Sequence, residues 1–91
     1  MTQRYTRHPD LRLTELAGEG VVLHLGSRRY FTVNETGLTI LNTLEQPSTF
    51  DELVAAVCAE FEVELAVATE TTQAFVTHCL QTDVIRTDDD D

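Results

Sequence analysis

The sequence predicts an α+β fold of winged helix-turn-helix type, with a three-stranded antiparallel sheet followed by three helices. Three observations carry this. Apolar residues up to Val33 fall in short strand-like runs and after it recur at helical spacing. The strand-like half is punctuated by Gly-containing turns, whereas the helical half opens on cap residues. The chain has 91 residues, enough for one domain and one modest core.

Leu11–Leu16 begins with strand-like alternation, and Ala17-Gly18-Glu19-Gly20 supplies a turn. Val21–Leu25 and Arg29–Val33 are rich in β-branched and aromatic residues and flank Gly26-Ser27-Arg28, which is a hairpin signal. A three-residue loop pairs Leu25 with Arg29, Leu23 with Phe31 and Val21 with Val33. A two-residue loop inverts one strand and brings Tyr30 to the apolar face. The first register buries more and is the one expected.

Beyond Val33, Asn34 is placed to cap a helix carrying Gly37, Ile40, Leu41 and Leu44, and Pro47 ends that segment. Thr49-Phe50-Asp51-Glu52 matches a capping box. Phe50, Leu53, Val54, Val57, Cys58 and Phe61 follow as a helical stripe. A third helix is expected from Ala66 to Thr82 with Ala68, Thr72, Phe75, Val76 and Cys79 inward, and Val84-Ile85 packs back to close the domain. Residues 1–10 are expected to be a flexible N-terminal segment, 11–86 the domain, and 87–91 a disordered acidic tail.

Charge is segregated. Residues 1–33 hold five Arg against three acids, residues 34–91 hold one Arg against thirteen, and Lys is absent. DNA affinity rests on Lys and Arg contacts to phosphate, and the predicted third helix, the reader in a DNA-binding winged helix, contains neither. It carries Glu70 and follows the anionic Glu60–Glu64 stretch, so no nucleic-acid partner is expected. There is no apolar h-region and no run approaching the roughly 18 residues of a bilayer span, which leaves no membrane partner and a cytoplasmic location by default.

Cys58 and Cys79 read as reduced core thiols. His8, His24, His78 and the two cysteines show no metal-ligand spacing, and no P-loop, GxGxxG or oriented nucleophile is in evidence. No catalytic residue, metal or cofactor is expected. The hairpin offers something else: if Arg29–Val33 is a sheet edge, its outward amides and carbonyls are open to another strand. Beside it the third helix offers Val67, Thr71, Ala74 and His78 as a mildly apolar wall, with Glu70 on the same helix. That wall reads equally well as a semi-exposed helix face. Arg28 and Arg29 form the only basic pair and read either as solvated wing residues or as clamps for an acidic guest.

From Val21 to Ile85 the chain resembles the PqqD-like family, the leader-binding domains called RiPP recognition elements. The resemblance rests on the hairpin leading into Tyr30-Phe31-Thr32-Val33-Asn34, Ile40-Leu41, Thr49-Phe50-Asp51-Glu52-Leu53, Phe61-Glu62-Val63, Phe75-Val76 with Cys79, and Val84-Ile85. Glu35, Thr72 and Cys79 depart from the family's usual Pro, Val and Leu. The resemblance implies a non-catalytic protein that binds the leader of a ribosomally made precursor peptide as an added strand and presents it to a modifying enzyme. That enzyme would be a lasso-type leader peptidase or a radical SAM protein. Carried over, the strand is Arg29, Tyr30, Phe31, Thr32 and Val33 and the groove wall Val67, Thr71, Ala74 and His78; with Arg28 and Glu70 beside them from the reading above, these are the expected peptide-binding residues. A winged-helix nucleic-acid regulator and a constitutive structural subunit of an enzyme complex are the alternatives.

Overall fold

A computed structural model describes residues 3–89 of the chain. Its strands are β1 (Gln3–Arg7), β2 (Leu11–Leu16), β3 (Glu19–His24), β4 (Arg29–Val33), β5 (Ser48–Thr49) and β6 (Ile85–Asp89). The helices are α1 (Glu35–Thr43), α2 (Phe50–Phe61) and α3 (Leu65–Gln81). The winged-helix layout is present, but the strands form two sheets, ordered β2-β3-β4 and β5-β1-β6.

The second sheet corrects the expectation of a flexible start and a disordered tail. Gln3–Arg7 pairs with Ser48–Thr49 on one side and with Ile85–Asp89 on the other. Thr87–Asp89 therefore belong to a strand, while Asp90 and Asp91 lie outside the described residues. Neither strand has an apolar run to announce it. They are held by a full backbone ladder, by half-buried Tyr5 against the core, and by placing Arg4 directly across from Asp88.

The turn after β2 shortens to Ala17-Gly18, both at positive φ, as two-residue hairpins require. The β3–β4 register differs from the expected one by one residue: Val22 faces Phe31, Leu23 faces Tyr30 and His24 faces Arg29. Phe31 and Val33 point inward as expected, but β3 is inverted. Val22 is fully buried, whereas Leu23 is 38% and Tyr30 73% exposed. The polar anchoring of His24 decides the register: its buried ring accepts the Ser27 N–H at 3.2 Å inside a four-residue loop, Leu25–Arg28. Counting apolar area alone misses that bond.

The helices follow their caps. The Asn34 side chain accepts the Gly37 N–H at 2.9 Å. Thr49 accepts the Glu52 N–H at 3.2 Å and donates its own N–H to the Glu52 carboxylate at 2.8 Å, completing the capping box. Ile40, Leu41, Leu44, Leu53, Val57 and Val76 form the centre of the core, and Val84 and Ile85 close it from the C-terminal side. Among the described residues no helix is long and apolar enough to cross a membrane.

Candidate functional site: an open strand edge beside a cleft

β4 is the outer strand of its sheet, and the N-terminal strand β1 pairs in the other sheet and leaves this edge open. Which of its atoms face outward follows from the ladder. The Leu25 N–H donates to the Asp10 carbonyl at 3.0 Å, in line with the β2–β3 register. Bonded pairs alternate in an antiparallel ladder, so Leu23 and Val21 bond toward β2 while His24 and Val22 bond toward β4. Arg29, Phe31 and Val33 therefore spend their backbone groups on β3, and Tyr30 and Thr32 turn theirs toward the open edge.

A cleft of about 230 Å³ lies beside this edge. Phe31, Thr32, Val33 and Asn34 line it from the strand side, Phe75, His78, Cys79 and Thr82 from α3 and its end, and Val22 and Val84 from below. The floor is apolar and the rim polar. Gly37 sets the upper end: a Cβ there would stand 2.7 Å from Phe75 Cε1 and 3.1 Å from the Val33 Cβ, so only glycine lets α1, β4 and α3 meet this closely.

Of the residues expected to form the helical wall, His78 lines the cleft. Val67, Thr71 and Ala74 lie on the same stripe of α3 but are exposed farther along it, and Glu70 is exposed beside them. Phe75 and Cys79, read as core, supply the wall instead. Their position at the margin of the apolar stripe and the half-burial of Phe75 reflect a side chain shared between core and groove. Arg28 and Arg29 are exposed at the hairpin end of the edge, and Arg28 sits at φ +58.

Both cysteines are free thiols. Burial pushes the Cys79 thiol up to about 12, so it stays protonated at neutral pH and is an apolar lining group rather than a nucleophile.

The fold also joins three residues far apart in sequence. His8 Nε2 and His24 Nε2 lie 3.5 and 3.8 Å from the same Asp83 oxygen, with ring centroids 4.4 Å apart. Three ligand atoms so close resemble a metal site, but the outer hydrogen bonds oppose that use. The Asp10 N–H donates to His8 Nδ1 at 3.0 Å and the Ser27 N–H to His24 Nδ1. Both protons of the neutral rings therefore reside on Nε2, whereas a ligating histidine needs that lone pair free and its other N–H as donor. The trio is a carboxylate facing two N–H groups, tying the β1–β2 connection, the hairpin end and the α3–β6 turn together.

Residues 19–85 match the family model described as Coenzyme PQQ synthesis protein D (PqqD). No curated protein matches the chain. A solved structure titled "TbiB1 in Complex with the TbiA(beta) Leader Peptide" superposes with a TM-score of 0.81, covering 93% of this chain and 99% of that one at 24% identity. At that identity the likeness is one of fold.

Proposed function

The chain belongs to the PqqD family, and from that premise we propose that it captures the leader segment of a ribosomally made precursor peptide as a fourth strand on β4. The observation that carries this is the pair of outward backbone positions, Tyr30 and Thr32, running beside a cleft with an apolar floor. Main-chain bonds to these residues supply affinity, and the cleft takes every second side chain of the guest. The acidic remainder and an α3 without Lys or Arg suit a protein-facing role rather than a duplex-facing one.

In this reading the protein is a non-catalytic partner that presents the bound leader to a modifying enzyme, either a lasso-type leader peptidase or a radical SAM protein. The binding residues are β4, Arg29 to Val33, with Arg28 before it, His78 and, beyond the earlier expectation, Phe75, Cys79 and Thr82. Val67, Thr71 and Ala74 continue the His78 stripe of α3 for a longer guest, whereas Glu70 faces a separate shallow depression with Leu65, Ala66, Thr69 and Gln73.

Titrating the leader peptide of the neighbouring precursor gene into labelled protein tests the reading. Backbone amide signals of Tyr30 and Thr32 and side-chain signals of Phe75 and His78 are expected to shift together. Saturable binding that leaves those signals still and moves others would overturn the site.

A further inference from the structure

The hairpin end of the open edge differs in charge from the rest of the molecule. Residues 34–91 hold thirteen acids and one Arg. Of the N-terminal arginines, Arg4 and Arg7 lie in β1 against acidic β6, and Arg12 donates Nη1 to the carbonyls of Pro9 and Leu11 at 3.4 and 2.9 Å. Arg28 and Arg29 are both exposed, and neither has an ion-pair or side-chain hydrogen-bond partner among the described residues. Asp83, which the hairpin end meets through His24, already faces two imidazoles.

The position of this pair relative to the cleft is fixed by strand alternation. Arg29 shares a face of β4 with Phe31 and Val33, two of the residues that line the cleft from the strand side. A guest strand presents its own side chains to that face at every second position. The guest residue across from Phe31 meets the apolar floor, and the one across from Arg29, two positions away, meets a guanidinium, with exposed Arg28 preceding it in the hairpin loop.

Resting on the strand-capture reading, we infer that the protein selects peptides carrying a carboxylate two residues from an apolar anchor, or four when the anchor lies across from Val33, with Arg29 and Arg28 reading that carboxylate. In an antiparallel guest the acid follows the anchor, and in a parallel guest it precedes it. The acidic body of the protein sharpens the choice, because a carboxylate elsewhere on the guest faces like charge.

A random peptide library displayed on phage and selected against the full-length protein tests this, with Arg28→Gln/Arg29→Gln selected in parallel and Thr32→Pro as the control for edge binding. Clones that lose binding on Thr32→Pro are expected to carry Asp or Glu at that spacing. On the double-Gln protein the apolar anchors persist but the acidic enrichment disappears, and individual clones bind about two- to fivefold more weakly per lost contact, a difference that shrinks as salt is raised. Edge-binding clones with no acid at that spacing, or the same enrichment on both proteins, would overturn the charge selection and leave strand capture standing. Recovery of no clone sensitive to Thr32→Pro would overturn strand capture, and this inference with it.

Discussion

Val22 and Phe31 face each other across β3 and β4, and this pairing determines the chemistry of the open edge. It commits the Phe31 backbone inward and thereby turns the amides and carbonyls of Tyr30 and Thr32 outward. Proline at either outward position removes one amide donor and places a ring where a guest strand must lie. Tyr30→Pro and Thr32→Pro are each expected to weaken leader binding by at least about tenfold while retaining cooperative unfolding. Phe31→Pro removes an inward bond and is expected to unfold the hairpin. Calorimetric titration and circular dichroism on the three variants distinguish these outcomes.

Gly37→Ala links packing to the cleft. The added methyl would crowd Phe75 Cε1 and Cζ, at 2.7 and 3.0 Å, and push the ring toward the groove. Overpacking of this kind costs about 1–3 kcal/mol, offset in part by the roughly 1 kcal/mol that alanine gains over glycine in a helix. A small loss of stability is expected together with a larger loss of peptide affinity.

Thr72 is buried, and its hydroxyl has no hydrogen-bond partner. An unsatisfied buried hydroxyl is costly, so Thr72→Val is expected to stabilise the fold by about 1 kcal/mol. The urea midpoint should rise with an unchanged m-value.

The α2 cap has a pH signature. The Thr49 backbone N–H, followed by its hydroxyl, holds the Glu52 carboxyl below the usual carboxylate range. A lowered folded-state value means stability that is present above the unfolded value and lost as pH falls through the folded one. Glu52→Gln is therefore expected to be less stable than the parent at neutral pH and to converge with it in acid. Thr49→Ala is expected to cost about 1 kcal/mol at neutral pH. Urea melts across the acidic range provide the comparison.

The His8–Asp83–His24 trio makes a spectroscopic prediction. Ring nitrogen shifts should report protonated Nε2 in both histidines, unchanged when zinc is added. Asp83 occupies φ +60, which Asn tolerates. Asp83→Asn is expected to be nearly neutral, while Asp83→Ala removes the carboxylate that faces both rings and puts a Cβ-bearing, non-polar residue at positive φ, and is expected to cost about 1–2 kcal/mol in thermal or urea unfolding.

The elements whose stability is local were legible in the sequence. Asn34 and Thr49 cap where their side chains imply, and the Leu53-Val54-Val57 stripe is buried as its spacing requires. β1 and β6 were hidden because Gln3–Arg7 and Thr87–Asp89 are polar, and each is a strand only because the other is there. The hairpin register turned on one ring nitrogen of His24, which hydrophobic patterning does not see. The strand side of the site was readable from the Tyr30–Val33 run. The helical wall was displaced from Val67, Thr71 and Ala74 toward Phe75 and Cys79, since a residue at the border of an apolar stripe can serve core and groove at once. The trio of His8, His24 and Asp83 left no trace in spacing because three separate connections bring it together.

The pairing of Gln3 with Asp89 has an architectural consequence. The two ends of the described polypeptide emerge as neighbours, about 5 Å apart as cross-strand partners are, and in a different sheet from β4. Such a unit can be spliced into a surface loop of a larger protein through paired β1 and β6, with its receptor margin still facing solvent.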